Sequence, residues 1–367
     1  MKKLTFSSAF CTLMLCLGFV CTSCSDPAID LSSSESANCY IVSQGGRYKF
    51  KAVKGNSSES VRGVASAAIL WESFGTSTTP RVGDLIKKVA YNNGYLYFEP
   101  ADIFREGNAV IAAKDASGTI LWSWHIWLTD QPQGQVYYND AGTMMDRNLG
   151  ATSATPGDVG ALGLLYQWGR KDPFLGSSSI SSDTLAESTI NWPSAVRSNS
   201  ITGTIAYATA HPTTFIMYNS INDDWYYTGS SSTDNTRWTT SESTKSIYDP
   251  CPAGWRVPDG GSNGVWSKAP GSSSVFDDYP LFFNECMDYS GKFGSASTIC
   301  YPASGGRSHY DGSLYSVGSH GNYWSASPNG GSAYDLYFDF DAEGYVALLG
   351  WDNRASGLSV RCLQVID

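Results

Sequence analysis

The sequence predicts two β-rich parts in tandem, an all-β sandwich over residues 38–132 and an α+β part with long loops over residues 136–367. Three observations carry this. The first stretch alternates apolar and polar residues with period two and holds no helical run. Turn signals punctuate it at short intervals. The 367-residue chain is rich in glycine (37), tryptophan (12) and tyrosine (22) and only 16% charged, the composition of a loop-rich extracellular protein, and its length fits two domains. A net charge of −10 argues against nucleic acid and anionic membrane surfaces as partners.

Met1-Lys2-Lys3 is a basic start, Leu4 to Val20 is largely apolar, and "CTSCSD" follows. Residues 1–23 read as a lipoprotein signal peptide cut before Cys24, which then carries the lipid. A plain signal peptide and an uncleaved anchor are the alternatives. Cys24 is preferred because small Ser23 precedes it, whereas bulky Val20 precedes Cys21. No other apolar run approaches the roughly 20 residues needed to cross a bilayer, so the lipid is the expected membrane contact.

Residues 24–37 read as a Ser-rich tether. The strands "CYIVS", "YKFKAV", "AAILWESF" and "KVAYNNGYLYF" follow, the last folded at Asn93-Gly94, a strong two-residue hairpin signal. "NAVIAAKDASGTILWSWHIWLTD" supplies a second hairpin about Asp115 to Gly118, its tryptophans expected in the core. Gln131-Pro132-Gln133-Gly134 marks the division. In "TPGDVGALGLLYQWGRKDP" a cap at Thr155 or Asp158 and the spacing of Leu164, Leu165 and Trp168 predict a short helix. "YPLFFNECMDYSG" predicts another. Residues 176–245, Ser/Thr/Asn-rich and broken by aromatics, read as elaborate surface loops. The end reads as strand, turn, strand, loop, strand, with Tyr334, Leu336, Phe338 and Phe340 on one face and Asp335, Tyr337, Asp339 and Asp341 on the other.

Removing Cys11, Cys16, Cys21 and Cys24 from the nine cysteines leaves five: Cys39, Cys251, Cys286, Cys300 and Cys362. An odd count in an oxidising compartment predicts two disulfides and one leftover thiol. Four of them lie in the last third without CxxC or Cys/His zinc spacing, so they read as staples rather than metal ligands or nucleophiles. Of three connectivities, the expected one joins Cys251 to Cys362 and Cys286 to Cys300.

"MDRNLGA", "GLLYQWGRKDPF", "YDPCPAGWRVPDGG", "YWSAS" and "GLSVRC" resemble, in order, the successive blocks of the Fibrobacter succinogenes major paralogous domain, a module of bacterial surface lipoproteins. The resemblance covers residues 136–367 and implies a C-type-lectin-like fold, with a disulfide from an early element to the last strand; this again is Cys251–Cys362. Residues 38–132 resemble the immunoglobulin-like sandwiches of fimbrial proteins and adhesins. Ser25-Asp26 resembles the acidic export signal of Bacteroidetes surface lipoproteins, which implies an outer-membrane, cell-surface location.

Of Asp146 and Arg147, adjacent in "MDRNLGA", one reads as a partly buried support for loop backbones, and Asp146 is not read as a general acid. "GWDNR" resembles the Trp-Asn-Asp calcium and sugar motif of true C-type lectins with its last two residues exchanged and no Glu-Pro-Asn or Gln-Pro-Asp partner. A structural loop is expected there and no cofactor, with calcium the alternative. Asp339, Asp341 and Glu343 form an acidic ladder, read as a solvated face. Aromatics interleave with amides and carboxylates in two regions, "NDDWYY" with "DNTRW" and "HGNYW" with "GWDNR". The ligand-binding candidates are therefore Trp225, Tyr226, Trp238, Trp351, Asp352 and Asn353. The expected function is non-catalytic: adhesion, or capture of a glycan or surface protein. A structural fimbrial tip or accessory subunit, partnered by fimbrial subunits, is the alternative. An enzyme of the formylglycine-generating kind would need a pair of reactive cysteines exposed in a cleft, and these cysteines read as structural.

Overall fold

The computed structural model describes residues 27–239, 244–271, 280–340 and 344–365. Cys24 with its signal segment, and Asp341 and Glu343 of the acidic ladder, lie outside the described residues. Among the described residues, 38% are in strands and 4% in helices. Among the described residues no helix is long and apolar enough to cross a membrane.

The first part contributes β1 (Ile29–Asp30), β2 (Cys39–Val42), β3 (Tyr48–Lys51), β4 (Ser66–Ser73), β5 (Ile86–Asn92), β6 (Tyr95–Pro100), β7 (Gly107–Lys114) and β8 (Ile120–Leu128). They form two four-stranded sheets, ordered β1-β3-β6-β5 and β2-β8-β7-β4, a β-sandwich around Phe50, Leu96, Phe98, Ile111, Trp124 and Ile126. The sheets are mixed rather than purely antiparallel, since β1–β3 and β2–β8 pair parallel. Asn93 and Gly94 both take positive φ (47° and 81°), the primed turn that matches strand twist at the β5–β6 hairpin. Residues 29–37, expected as part of the tether, pack instead. Ile29–Asp30 adds a strand, Ser32 is buried with its hydroxyl accepting the Lys51 amide, and Ala37 is buried.

β8 is covered on both faces. Trp122, Trp124 and Ile126 face the sandwich interior, and Trp127 joins Leu164, Tyr166, Trp168, Trp238 and Trp324 of the second part in one core. The β8 tryptophans are thus core residues, as expected. Polar ties reinforce this contact: Lys171 donates to the carbonyl and hydroxyl of Ser123 and pairs with Asp172, while its ammonium lies 4.6 Å from the Trp122 ring centroid. Arg147 pairs with Asp146 and Asp130, tying side chains at the junction rather than the loop backbones expected of it.

The second part comprises β9 (Gly134–Tyr137), β10 (Gly142–Met145), β11 (Leu164–Gln167), β12 (Phe174–Leu175), β13 (Val196–Arg197), α1 (Ile205–Ala210), β14 (Ile216–Met217), β15 (Trp255–Arg256), α2 (Val265–Lys268), β16 (Leu281–Phe283), β17 (Cys286–Asp288), β18 (Cys300–Pro302), β19 (Gly306–Arg307), β20 (Leu314–Tyr315), β21 (His320–Asn329), β22 (Ser332–Asp339), β23 (Tyr345–Asn353), β24 (Gly357–Ser359) and β25 (Leu363–Gln364). Its main sheet runs β12-β11-β24-β21-β22-β23, and a smaller one runs β15-β25-β10-β9. Both predicted helices are corrected to strands. Asp158 caps only a single 3-10 turn, Val159–Ala161; Gly163 then takes φ +73° and Leu164–Gln167 continues as a fully buried strand. A strand buried on both faces reads as a continuous apolar run, which periodicity alone cannot tell from a helix. At "LFFNECMD" the left-handed pair Asn284 (φ 48°) and Glu285 (φ 50°) folds β16 onto β17.

Both expected disulfides form, Cys251–Cys362 and Cys286–Cys300, with Cα–Cα distances of 6.1 and 5.7 Å. Cys39 is a free, buried thiol whose pKa burial pushes up, which disfavours the thiolate form. Around the first bridge, Lys245 Nζ donates to the carbonyls of Cys251, Pro252 and Trp255, and the Asp249 carboxylate accepts the amides of Cys251 and Val257.

Candidate ligand-binding site

The first aromatic region is a buried scaffold. Trp225 and Trp238 are 0% exposed, and each indole N–H is satisfied by a backbone carbonyl, Trp168 O at 2.7 Å and Arg170 O at 3.0 Å. Both are thereby corrected: neither ring has a free face. Their loops are drawn inward by charge. Asp224 accepts two bonds from Arg237, whose guanidinium lies 4.9 Å from the centroids of both Trp168 and Trp225. Tyr226, half-buried, meets Trp225 edge-on at 6.0 Å. Arg354 stands over Trp168 at 4.4 Å and donates to the carbonyls of Gly330, Ser332 and Asp234 and to the Asn235 side chain. This arginine of "GWDNR" locks the two aromatic regions together.

The second region forms a cleft of about 490 Å³ on the outer face of β21, β22 and β23, closed at one side by Tyr315 and Ser316. Register explains it. Asn322 pairs with Tyr337, Tyr337 with Ala347 and Asp335 with Gly350, so one set of side chains faces the cleft. The alternate set, Tyr323, Leu336 and Phe338, is buried in the core behind. Register slips between Asp335 and Tyr337, where β23 carries an extra residue. A Cβ at Gly350 would collide with Asp335 Oδ1, so only glycine leaves room for that carboxyl beneath β23.

Asp335 is 2% exposed and its Oδ1 has no hydrogen-bond partner; Asn322 is 3% exposed and its Nδ2 has none. Beside them Trp351 is 63% exposed, and Tyr345 and Leu349 are exposed at the rim. Asp352, half-buried, accepts from the Asn353 amide (2.5 Å) and Ser356 Oγ (2.9 Å). Asn353, although adjacent, turns its amide to His309 Nε2 at 3.1 Å. Of the six candidates, then, Trp351 and Asp352 line the cleft, and the other four do not.

Burial holds the Asp335 carboxyl well above the usual carboxylate range, and the neighbouring Asp352 pushes it further. Burial also raises Asp352, against hydrogen bonds from Ser356 and Asn353. Because the native chain binds these protons more tightly than the unfolded one, the pair subtracts stability as pH rises from the ordinary aspartate range towards the raised native values. Tyr315 shows the same environment: burial raises its phenol, and Asp352 and Asp335 add to the effect.

The sequence ranking missed Asn322, Asp335, Tyr337 and Tyr345. The available signal was the alternation Asp335, Tyr337, Asp339 against Leu336 and Phe338. Two other hollows each hold an ion pair in their walls. The one of about 260 Å³ at β5–β6 holds Arg47 ion-paired with Glu99 at 3.3 Å. The one of about 440 Å³ beside β25 holds Arg256 ion-paired with Asp259 at 2.5 Å. Among the described residues no group of three His, Cys, Asp or Glu side chains is placed to share a metal ion. No family model, curated protein or solved structure matches this chain.

Proposed function

We propose that the chain is a cell-surface, outer-membrane lipoprotein anchored through Cys24, with an immunoglobulin-like sandwich followed by a C-type-lectin-like module that captures glycan without catalysis. The observation that carries this reading is the exposed Trp351 ring beside the unpartnered buried atoms Asn322 Nδ2 and Asp335 Oδ1. Sugar rings pack their C–H faces on aromatic rings, and their hydroxyls satisfy buried polar groups at the base of a concave site. The ordered motif blocks support the same reading through their structural roles, since Arg147, Arg170 and Arg361 all serve buried polar networks under the loops.

On a glycan array, the wild-type chain is expected to retain a defined subset of saccharides. Trp351→Ala should weaken that binding about tenfold or more while changing stability by no more than about 0.5 kcal/mol, since the ring is largely solvated. Binding left intact in the variant removes the cleft as the site. No saccharide bound, together with copurification of fimbrial subunits, favours the structural-subunit reading instead.

The anchor has its own test. Metabolic palmitate labelling of the full chain is expected to be lost in Cys24→Ala. Label that persists moves the lipid to Cys21 or refutes the anchor.

A further inference from the structure

We propose that the cleft selects a saccharide bearing a protonated amine, as in a glycan with free 2-amino sugars, held by the Asp335 and Asp352 carboxyl groups within the surrounding rings. This rests on the glycan reading and narrows it to a charge class.

Five acidic side chains are buried among the described residues: Glu72, Asp172, Asp224, Asp249 and Asp335. Glu72 accepts the amides of Gly83, Leu85 and Ile86. Asp172 pairs with Lys171, Asp224 with Arg237, and Asp249 with two backbone amides and Lys245. Asp335 differs: it has an unpartnered oxygen and a second acid, Asp352, as its electrostatic neighbour. Taking a carboxyl from water without a compensating partner costs several kcal/mol, and a second carboxyl nearby raises that cost. No lysine or arginine lines the cleft; His320 in its wall is paired with Asp339, and His309 acts electrostatically on Asp352 from the side. A cation with N–H donors is therefore the ligand group that would complete this site.

The surroundings specify the kind of cation. A hard metal ion takes six or more oxygen ligands, whereas this cleft offers two acids and a set of rings. Tyr315, Tyr337, Tyr345 and Trp351 instead provide π faces, which attract an ammonium group most strongly where water is excluded. An ammonium group carries three donors, enough to bond Asp335 Oδ1 and Asp352 together, and Asn322 Nδ2 remains to donate to a ring hydroxyl. A volume of about 490 Å³, with a solvated indole along one side, suits sugar rings laid flat rather than a single lysine stem.

The test titrates the full mature chain with three probes by calorimetry at neutral pH: triglucosamine with free amines, its tri-N-acetylated form, and cellotriose. Trilysine is the fourth arm. Triglucosamine is expected to bind at least about tenfold more tightly than either neutral trisaccharide. Asp335→Asn, which keeps shape and removes the ionisable carboxyl, should abolish the preference, so that the variant binds triglucosamine no more tightly than it binds cellotriose. Equal affinity for the charged and neutral trisaccharides, or no effect of Asp335→Asn, overturns the charge inference while the glycan reading stands. If trilysine binds and no saccharide does, both fail. The comparison among wild-type titrations holds even if the variant were to misfold.

Discussion

Replacing Cys251 and Cys362 together with serine is expected to lower the stability of the oxidised chain by about 4–5 kcal/mol, against about 3 kcal/mol for the Cys286/Cys300 pair. The difference follows from loop length: the first bridge spans a sequence separation of 111 and the second 14. Constraining the unfolded chain over the longer loop removes more of its conformational freedom. The first bridge also sits where the chain's end meets its middle. Cys362 immediately precedes β25, which pairs with both β10 and β15, and Cys251 leads into β15. Both sulfurs belong to the core shared with Trp127, Trp168 and Trp324, so the long range of the bridge is matched by the burial it fixes. Urea denaturation of the two double variants measures the losses, and non-reducing peptide mapping verifies the pairs. Equal losses, or a first-bridge loss below about 2 kcal/mol, would show that the core alone holds the chain's end in place.

What was legible in the sequence was local. The Asn93-Gly94 turn and the Asp115–Gly118 turn were readable because a positive-φ turn between two alternating runs has few other solutions. The three strands of the final stretch were readable for the same reason, and their alternation already separated Asp335 and Tyr337 from Leu336 and Phe338. Leu164–Gln167 was misread because a strand covered on both sides has no polar phase to display. Trp225 and Trp238 were misjudged for a reason of longer range. Their loops are polar in composition and look solvated, yet Asp224 and Arg237 neutralise each other and let the rings sink against Trp168, 57 positions from Trp225. No window of sequence displays that contact. The cleft was half visible: Trp351 and Asp352 stood in a recognisable motif, but Asp335 matters because register places it under Gly350.

The same network yields the second large effect. Asp224→Asn is expected to cost about 3–5 kcal/mol, because it removes the buried carboxylate that pairs with Arg237 in a cluster where Arg237 and Arg354 are both fully buried. Asparagine keeps the shape and one acceptor, so the loss isolates charge from packing. Two guanidinium groups would then share a site from which water is excluded, with only carbonyls and ring faces to hold them. The consequence reaches the cleft. Arg354 follows Asp352 and Asn353 directly in the chain, and its bonds to Gly330 and Ser332 hold the end of β23 against the start of β22. Loosening it frees Trp351 and Asp352 from the geometry in which they flank Asp335. Chemical denaturation should therefore show the stability loss, and near-ultraviolet circular dichroism a changed environment for Trp168, Trp225 and Trp238. Saccharide binding at a temperature where the variant is still folded should weaken without any cleft residue having been touched. A stability change below about 1 kcal/mol would mean that the backbone carbonyls around Arg237 and Arg354 suffice to hold both cations, and would reduce Asp224 to a packing residue.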